Sequence, residues 1–344
     1  VKAFSRRALL GAGLGAVSSA CATTRENNPA SRSLDDLQLV AENLSRPEGV
    51  AAFPDRSIAV SNHDAAISII APDGARRDIG RAHSANGICA DGRGGVVIAN
   101  FGLLGDVPGT LQRVDLPTGG MTTLAGAIDG RPLVGSNCPA LGPDGEIYCT
   151  HSKWSDPYNV GNTDPSGFVY KVSRDGRVSR VVDGVRGANG LCFSADFRSL
   201  YVAQTPAANV LRFTRTPEGG YANPRQYGPR LGLAPDNINA IDLRTMPASE
   251  RRHLGLTDGL AFDADRNLWV TVPFAGKLVV ITPASEAIEV LSDPEGEKLN
   301  MPTNIAFGGA DLRDLYIASM RNNKVWKLRV DAPACRCRTG ALSA

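Results

Sequence analysis

Six polar residues, each standing directly before a short apolar run, carry most of the chemistry this sequence could do. They are Glu48, Asn86, Asn137, Asn189, Asp258 and Asn304. Every one has a side-chain oxygen, two are carboxylates, and none is His or Cys. Oxygen donors with two negative charges suit one hard divalent cation. Zinc sites favour His and Cys, and calcium tolerates amide oxygens and irregular geometry better than magnesium does. Ca2+ is therefore the favoured ion, with Mg2+, Mn2+ or Zn2+ as alternatives. The competing reading is local, because Asn-Gly and Asp-Gly are strong turn signals and Asn86, Asn189 and Asp258 all precede Gly. Against it, each unit has another turn seven positions further on, and Glu48 has no special turn chemistry.

Residues so far apart act together only if a repeated element gathers them. The repeat runs head, apolar strand, turn, second apolar strand. Asp stands at the turn in five of the six units, as Asp55, Asp144, Asp196, Asp265 and Asp311, with Arg93-Gly94 in the other. Third strands follow at 66–71, 110–115, 167–173, 209–213, 277–281 and 324–330, with weaker fourth strands such as 178–182 and 288–291. Runs of Val, Ile, Tyr and Trp bounded by Asp, Gly and Pro are hairpin signals. Four strands in units of roughly 40–50 residues make a propeller blade. The expected fold is all-β: a six-bladed β-propeller over 37–331, with four-stranded antiparallel blades around a central channel. Residues 37–40 are expected to close the ring as the outer strand of the last blade, which removes an exposed edge. Equivalent positions of a propeller face the channel at one end, so the six heads should converge there. Cys89 and Cys192 stand three positions after their heads, as Ala51, Ala140 and Ala261 do, and read as packing residues.

Lys plus Arg is 37 and Asp plus Glu is 35, which lacks the basic excess of a nucleic-acid binder. A hydrophobic fraction of 42% excludes a disordered chain. Residues 1–22 read as a twin-arginine signal: Arg6-Arg7, an apolar run from Ala8 to Val17, then Ala20-Cys21-Ala22. That run is too short to span a bilayer. The expectation is export by the twin-arginine machinery to the periplasm or beyond, with a lipid tether on Cys21 as the alternative to cleavage. Residues 23–36 are expected to be a flexible linker and 332–344 a tail, with Cys335 and Cys337 incidental and exposed. No transmembrane segment is expected. The cysteine spacing suggests neither a disulfide framework nor a zinc ligand set.

Arg46-Pro47-Glu48-Gly49, Ala188-Asn189-Gly190-Leu191, Thr257-Asp258-Gly259-Leu260-Ala261 and the run from Pro302 to Gly309 carry a family resemblance. Over roughly 37–330 the chain resembles the SMP-30/gluconolactonase/luciferin-regenerating-enzyme family of six-bladed propellers. The resemblance implies one catalytic divalent ion at the channel mouth, with Glu48, Asn189 and Asp258 as ligands and Asn137 binding metal or substrate. It also implies hydrolysis of a lactone. Asp258 would then be general base or water-positioning residue, with Glu48 chiefly balancing charge. Asn86, Asn137, His151 and Asn304 would face the substrate. His151 is an alternative acid–base group, or a rim residue. Departures from the family pattern are Cys138 in place of Asp, His151 where relatives often end the strand in Asp-Pro, and Asn100-Phe101 in place of an acidic-His pair. They bear on the substrate more than on the ion.

Two segments break the repeat and are expected to wall the pocket: 151–166, with Trp154 and Tyr158, and 216–257, with Asn237, Asn239 and Arg251-Arg252-His253. His63, His83 and His253 read as loop residues, of which His83 could reach the mouth. No Gly-x-Ser-x-Gly elbow or dinucleotide-binding glycine pattern appears. Two other functions fit the same residues: a metal-dependent phosphotriesterase or arylesterase, and a binding or scaffold propeller with a structural ion.

Overall fold

Six four-stranded antiparallel sheets stand around one axis in the computed structural model, which describes residues 29–105, 107–154, 159–161, 163–236 and 238–335. The first blade comprises Val50–Ala52, Ile58–Ser61, Ile67–Ile70 and Arg76–Ile79. The innermost strands of the next four are Ala85–Ala90, Ser136–Leu141, Ala188–Phe193 and Leu260–Phe262. The sixth blade holds Pro302–Gly308, Asp314–Ser319, Lys324–Arg329 and, outermost, Gln38–Ala41. Leu39 pairs with Trp326 and Gln38 with Lys327, so the ring closes by the strand expected to close it. Each innermost strand packs against the innermost strands of both neighbouring blades, all the way round.

The burial pattern explains which strands the sequence displayed clearly. The second strands Ile58–Ser61, Gly95–Asn100 and Leu268–Val272 are buried along their whole length, so they read as continuous apolar runs. The fourth strand Arg76–Ile79 is exposed at three of its four residues, and its pattern is correspondingly faint. The core is a set of layers between neighbouring blades. Ala51 of the first blade packs with Ile88 and Ile98 of the second, and Trp269 and Leu278 of the fifth pack with Ile317 and Leu328 of the sixth.

Aspartates make the expected turns. Asp55, Asp196 and Asp311 each accept a hydrogen bond from the backbone N–H two residues on, at 2.9, 3.1 and 3.3 Å. In the second blade Asp91 does this instead, accepting from the N–H groups of Arg93 and Gly95.

The end of the stretch expected to be a linker is pinned. Arg32 donates its backbone N–H to the Val290 carbonyl at 2.7 Å and pairs with Asp331 at 2.6 Å. The start of the expected tail is pinned too: Cys335 N–H donates to the Phe262 carbonyl, and Cys335 is half-buried rather than exposed. Residues 1–28 and 336–344, with the signal pattern, Cys21 and Cys337, lie outside the described residues, as do Tyr158 and Asn237. Among the described residues no helix is long and apolar enough to cross a membrane. Cys89, Cys138, Cys149, Cys192 and Cys335 are free thiols.

The two segments that break the repeat meet each other. Asn159–Val160 pairs antiparallel with Ile238–Asn239, and the helices Ala240–Thr245 and Ala248–Arg251 follow.

Candidate active site

The heads are not turn residues. Gly49, Gly87, Gly190 and Gly259, which follow four of them, all lie outside the left-handed backbone region. They are glycine because the next blade leaves no room for a side chain. A Cβ on Gly49 would lie 2.6 Å from the Ile88 nitrogen, and one on Gly259 2.7 Å from the Asn304 Cα. On Gly190 it would run into the Asp258 carbonyl oxygen, and on Gly87 into that of Asn137.

Local irregularity aims the head side chains. The ladder to the second strand shifts register between Ala85 and Ile88, Ser136 and Pro139, Ala188 and Leu191, and Pro302 and Asn304. Each break falls at a head, and such a bulge turns a side chain away from the regular pleat. In the first and fifth blades, Glu48 and Asp258 stand just before the strand.

Hydroxyl groups then stitch blade to blade. Ser61 Oγ accepts from the N–H groups of Glu48 and Gly49 at 3.0 and 2.8 Å. Thr150 Oγ1 accepts from Cys138 N–H and donates to the Asn189 carbonyl at 2.7 Å. Thr271 Oγ1 accepts from Gly259 N–H and donates to the Thr303 carbonyl at 2.9 Å, and Thr303 Oγ1 donates to the Glu48 carbonyl at 2.9 Å. These bonds help to fix the backbone behind Glu48, Asn189 and Asp258, beside backbone bonds such as Asp258 N–H to the Thr271 carbonyl at 3.0 Å.

All six heads sit at this end of the channel, and five are buried, with Asn189 half-buried. Two of them, Asn86 and Asn137, are linked directly. Arg46 Nη1 donates to Asn86 Oδ1 at 3.2 Å, Asn86 Nδ2 to Asn137 Oδ1 at 3.1 Å, and Asn137 Nδ2 to Ser152 Oγ at 2.9 Å. Asn189 Nδ2 donates to Thr205 Oγ1 at 3.1 Å. Asn304 turns its oxygen back onto the Ile305 N–H at 2.8 Å. Glu48 Oε2 and Asn189 Oδ1 are buried and have no hydrogen-bond partner.

Burial raises the proton affinity of both Glu48 and Asp258. At Asp258 the Glu48 charge adds to this, and Arg46 opposes the rise at both carboxylates. Two buried carboxylates in one field, with acceptor oxygens left bare, are a donor set suited to a cation. The residues present therefore fit a hard divalent ion. Glu48, Asn189 and Asp258 supply the uncommitted oxygens, and Asn137 offers the second lone pair of an amide oxygen already bonded to Asn86. Among the described residues no three of His, Cys, Asp and Glu cluster. Amides fill out this set, which points to calcium-like rather than zinc-like chemistry.

A cleft of about 120 Å³ opens beside Asn137 and Asn189, lined also by Phe101, Lys153, Asp164 and Thr205. Segment 151–166 thus contributes to the wall, as does Phe101. Asn100 is a support: it is fully buried, donates to Gln112 Oε1 at 3.0 Å and accepts from Ser84 N–H at 2.8 Å.

The ring of His151 hydrogen-bonds to Val134 and Gly135 and to none of the heads. It is fully buried, stacked 4.6 Å from Phe168 and 4.3 Å from Trp154, and its Nε2 accepts from both of those N–H groups. These are the surroundings of a packing residue. His63 sits at the mouth, its Nε2 3.1 Å from Arg46 Nη1, while His83 and His253 are exposed.

Sequence reasoning missed Arg46. It faces both carboxylates and anchors the Asn86–Asn137 chain. Its place two residues before Glu48 was the available signal.

Known proteins resemble this chain in sequence and in fold. A model of the SMP-30/Gluconolactonase/LRE-like region matches residues 47–321. A 6-deoxy-6-sulfogluconolactonase of Pseudomonas putida is 28% identical over 171 residues, 50% of this chain and 51% of that protein. The chain spans about half the length of the curated relatives it matches. In fold, it is similar to a gluconolactonase from Xanthomonas campestris (TM-score 0.64, 21% identity, covering 88% of this chain and 95% of that one). It is also similar to regucalcin, a calcium-binding protein from Agrobacterium tumefaciens (TM-score 0.65, 16% identity, covering 86% and 94%). The family match takes in every head from Glu48 to Asn304, and the chain belongs to the SMP-30/Gluconolactonase/LRE-like family.

Proposed function

We propose that this protein hydrolyses a lactone with the help of one divalent ion, Ca2+ by preference, at the channel mouth. The observation that carries the reading is the pair of buried, unpartnered oxygens, Glu48 Oε2 and Asn189 Oδ1, beside the buried Asp258 carboxylate. Family membership, and relatives named as lactonases, support it. When bound, a divalent ion supplies Lewis acidity toward a carbonyl and lowers the pKa of water.

The chain's own residues do the rest. Glu48 balances charge and holds its place through Ser61. Asp258 accepts the proton of the attacking water, a role suited to a carboxylate whose proton affinity is raised by burial. The water oxygen bonds to the carbonyl carbon, the ring C–O bond breaks, and the proton passes from Asp258 to the departing alkoxide, giving a hydroxy acid. The N–H groups of Arg46, Asn86 and Asn137 that these bonds leave over are the donors available to the developing oxyanion. The twin-arginine pattern at 1–22 supports export to the periplasm, which fractionation of the expressing cells would test.

The test is a panel of aldonolactones, aliphatic lactones and phosphotriesters, with and without EDTA. Lactone turnover is expected to vanish in EDTA, return with Ca2+, and fall about 100-fold or more in Asp258→Ala and Glu48→Gln. Turnover that survives EDTA and both substitutions overturns the reading. Phosphotriester turnover alone transfers it to the esterase alternative.

A further inference from the structure

Cations crowd the mouth. Arg46 faces Glu48 and Asp258. Arg244 lies close by, exposed, on the helix Ala240–Thr245 of the long inserted segment. Arg321, on the turn Met320–Asn322 of the sixth blade, places Nη1 3.4 Å from the Arg244 carbonyl oxygen. Arg251 completes the group. Its Nη2 donates to the Pro294 carbonyl at 3.2 Å, and its buried Nε has no partner. Among the described residues none of these four makes an ion pair within 4.0 Å, whereas neighbouring Arg252 pairs with Glu295.

Three different segments thus bring guanidinium groups together, with Glu48 and Asp258 the carboxylates that face Arg46. Burial, with the charges of Arg251 and Arg244 beside it, lowers the hold of Arg321 on its proton. Like charges in a half-buried mouth repel, and the field that disfavours them attracts a negative group. A divalent ion on Glu48 and Asp258 would neutralise those two carboxylates and leave the arginines with no counter-charge. Planar guanidinium forks match carboxylate, phosphate and sulfonate oxygens.

We propose that Arg46, Arg244 and Arg321 form an anion subsite at the channel mouth, so that the preferred substrate is a lactone carrying a second, negatively charged group. This rests on the hydrolase reading above. That group would dock on the arginines while the ring carbonyl lies at the oxygen ring.

The experiment measures kcat/KM of the full chain with Ca2+ for a neutral aldonolactone and for the same ring bearing a terminal phosphate or carboxylate. The anionic substrates should be preferred at least tenfold through KM, and added NaCl should erode that preference. The double variant Arg244→Gln/Arg321→Gln should lower the preference about tenfold or more. Arg225→Gln, exposed on the outer strand of the fourth blade, should keep it. The phosphate and carboxylate arms tell which anion the subsite takes. No preference in the unaltered chain, or one that survives the double variant, overturns the proposal. If no lactone is hydrolysed, the hydrolase reading fails by itself. The subsite is then read by calorimetric titration of inorganic phosphate and gluconate. Binding lost in the double variant supports it, and binding absent or unchanged overturns it.

Discussion

A histidine that titrates in water near neutrality is held neutral in this protein. Burial first, then the charges of Arg180 and Arg131, push the His151 imidazole down to about 3. Both arginines stack on its aromatic neighbours, Arg180 over Phe168 at 4.0 Å and Arg131 over Trp154 at 4.4 Å. Between about pH 3 and the ordinary value of 6.5 the folded chain binds fewer protons here than the unfolded chain. This contribution to stability is therefore complete above that window and is lost as pH falls through it. Urea unfolding should show the protein about 2 kcal/mol less stable at pH 5 than at pH 8 on this account. His151→Phe should remove most of that difference, and an unchanged slope would contradict the sandwiched, neutral ring. The sequence marked His151 as a departure from the family pattern but could not show where its ring points. That depends on Trp154 and Phe168, one in the adjoining loop and one on the next strand.

At the scale of the element, the heads owe their aim to glycines and bulges. Gly190→Ala would drive a Cβ into the Asp258 carbonyl oxygen. It should destabilise the fold by about 3 kcal/mol or more and weaken Ca2+ binding, followed by calorimetry. Gly176→Ala is the comparison. That turn is open to solvent with φ +83, so the change should cost only about 1 kcal/mol and leave Ca2+ affinity alone. Equal losses of affinity at the two sites would refute the positioning role of the close approach.

The heads were legible in the sequence because each precedes a buried second strand and all but Asn86 precede an Asp turn in constant register. The outer strands were less so, since Arg76–Ile79 is mostly solvated. The hydroxyl stitches of Ser61, Thr150, Thr271 and Thr303 were not legible. Each reaches into a neighbouring strand or blade, and nothing in the residue type alone says so. Arg46 stood in a quoted motif, but its contact with Asn86 of the next blade was hidden for the same reason.

For the molecule as a whole, closure joins the two ends of the fold. Removal of 29–41 would strip buried Leu37 and the ladder to Lys324–Arg329, leaving an open sheet edge. The truncated chain should be about 3 kcal/mol or more less stable. It should also unfold over a broader range and self-associate, which denaturant titration and light scattering would show. Unaltered cooperativity would mean that the ring holds without its last strand. The same closure sets an order of events during synthesis. Gln38 leaves the ribosome before the first blade is made, yet its partner Lys327 is translated only after the fifth. The nascent chain must carry an unmatched first strand through the making of nearly six blades. Neither the sixth sheet nor the oxygen ring it helps to close exists until the strands from Pro302 to Arg329 have been made.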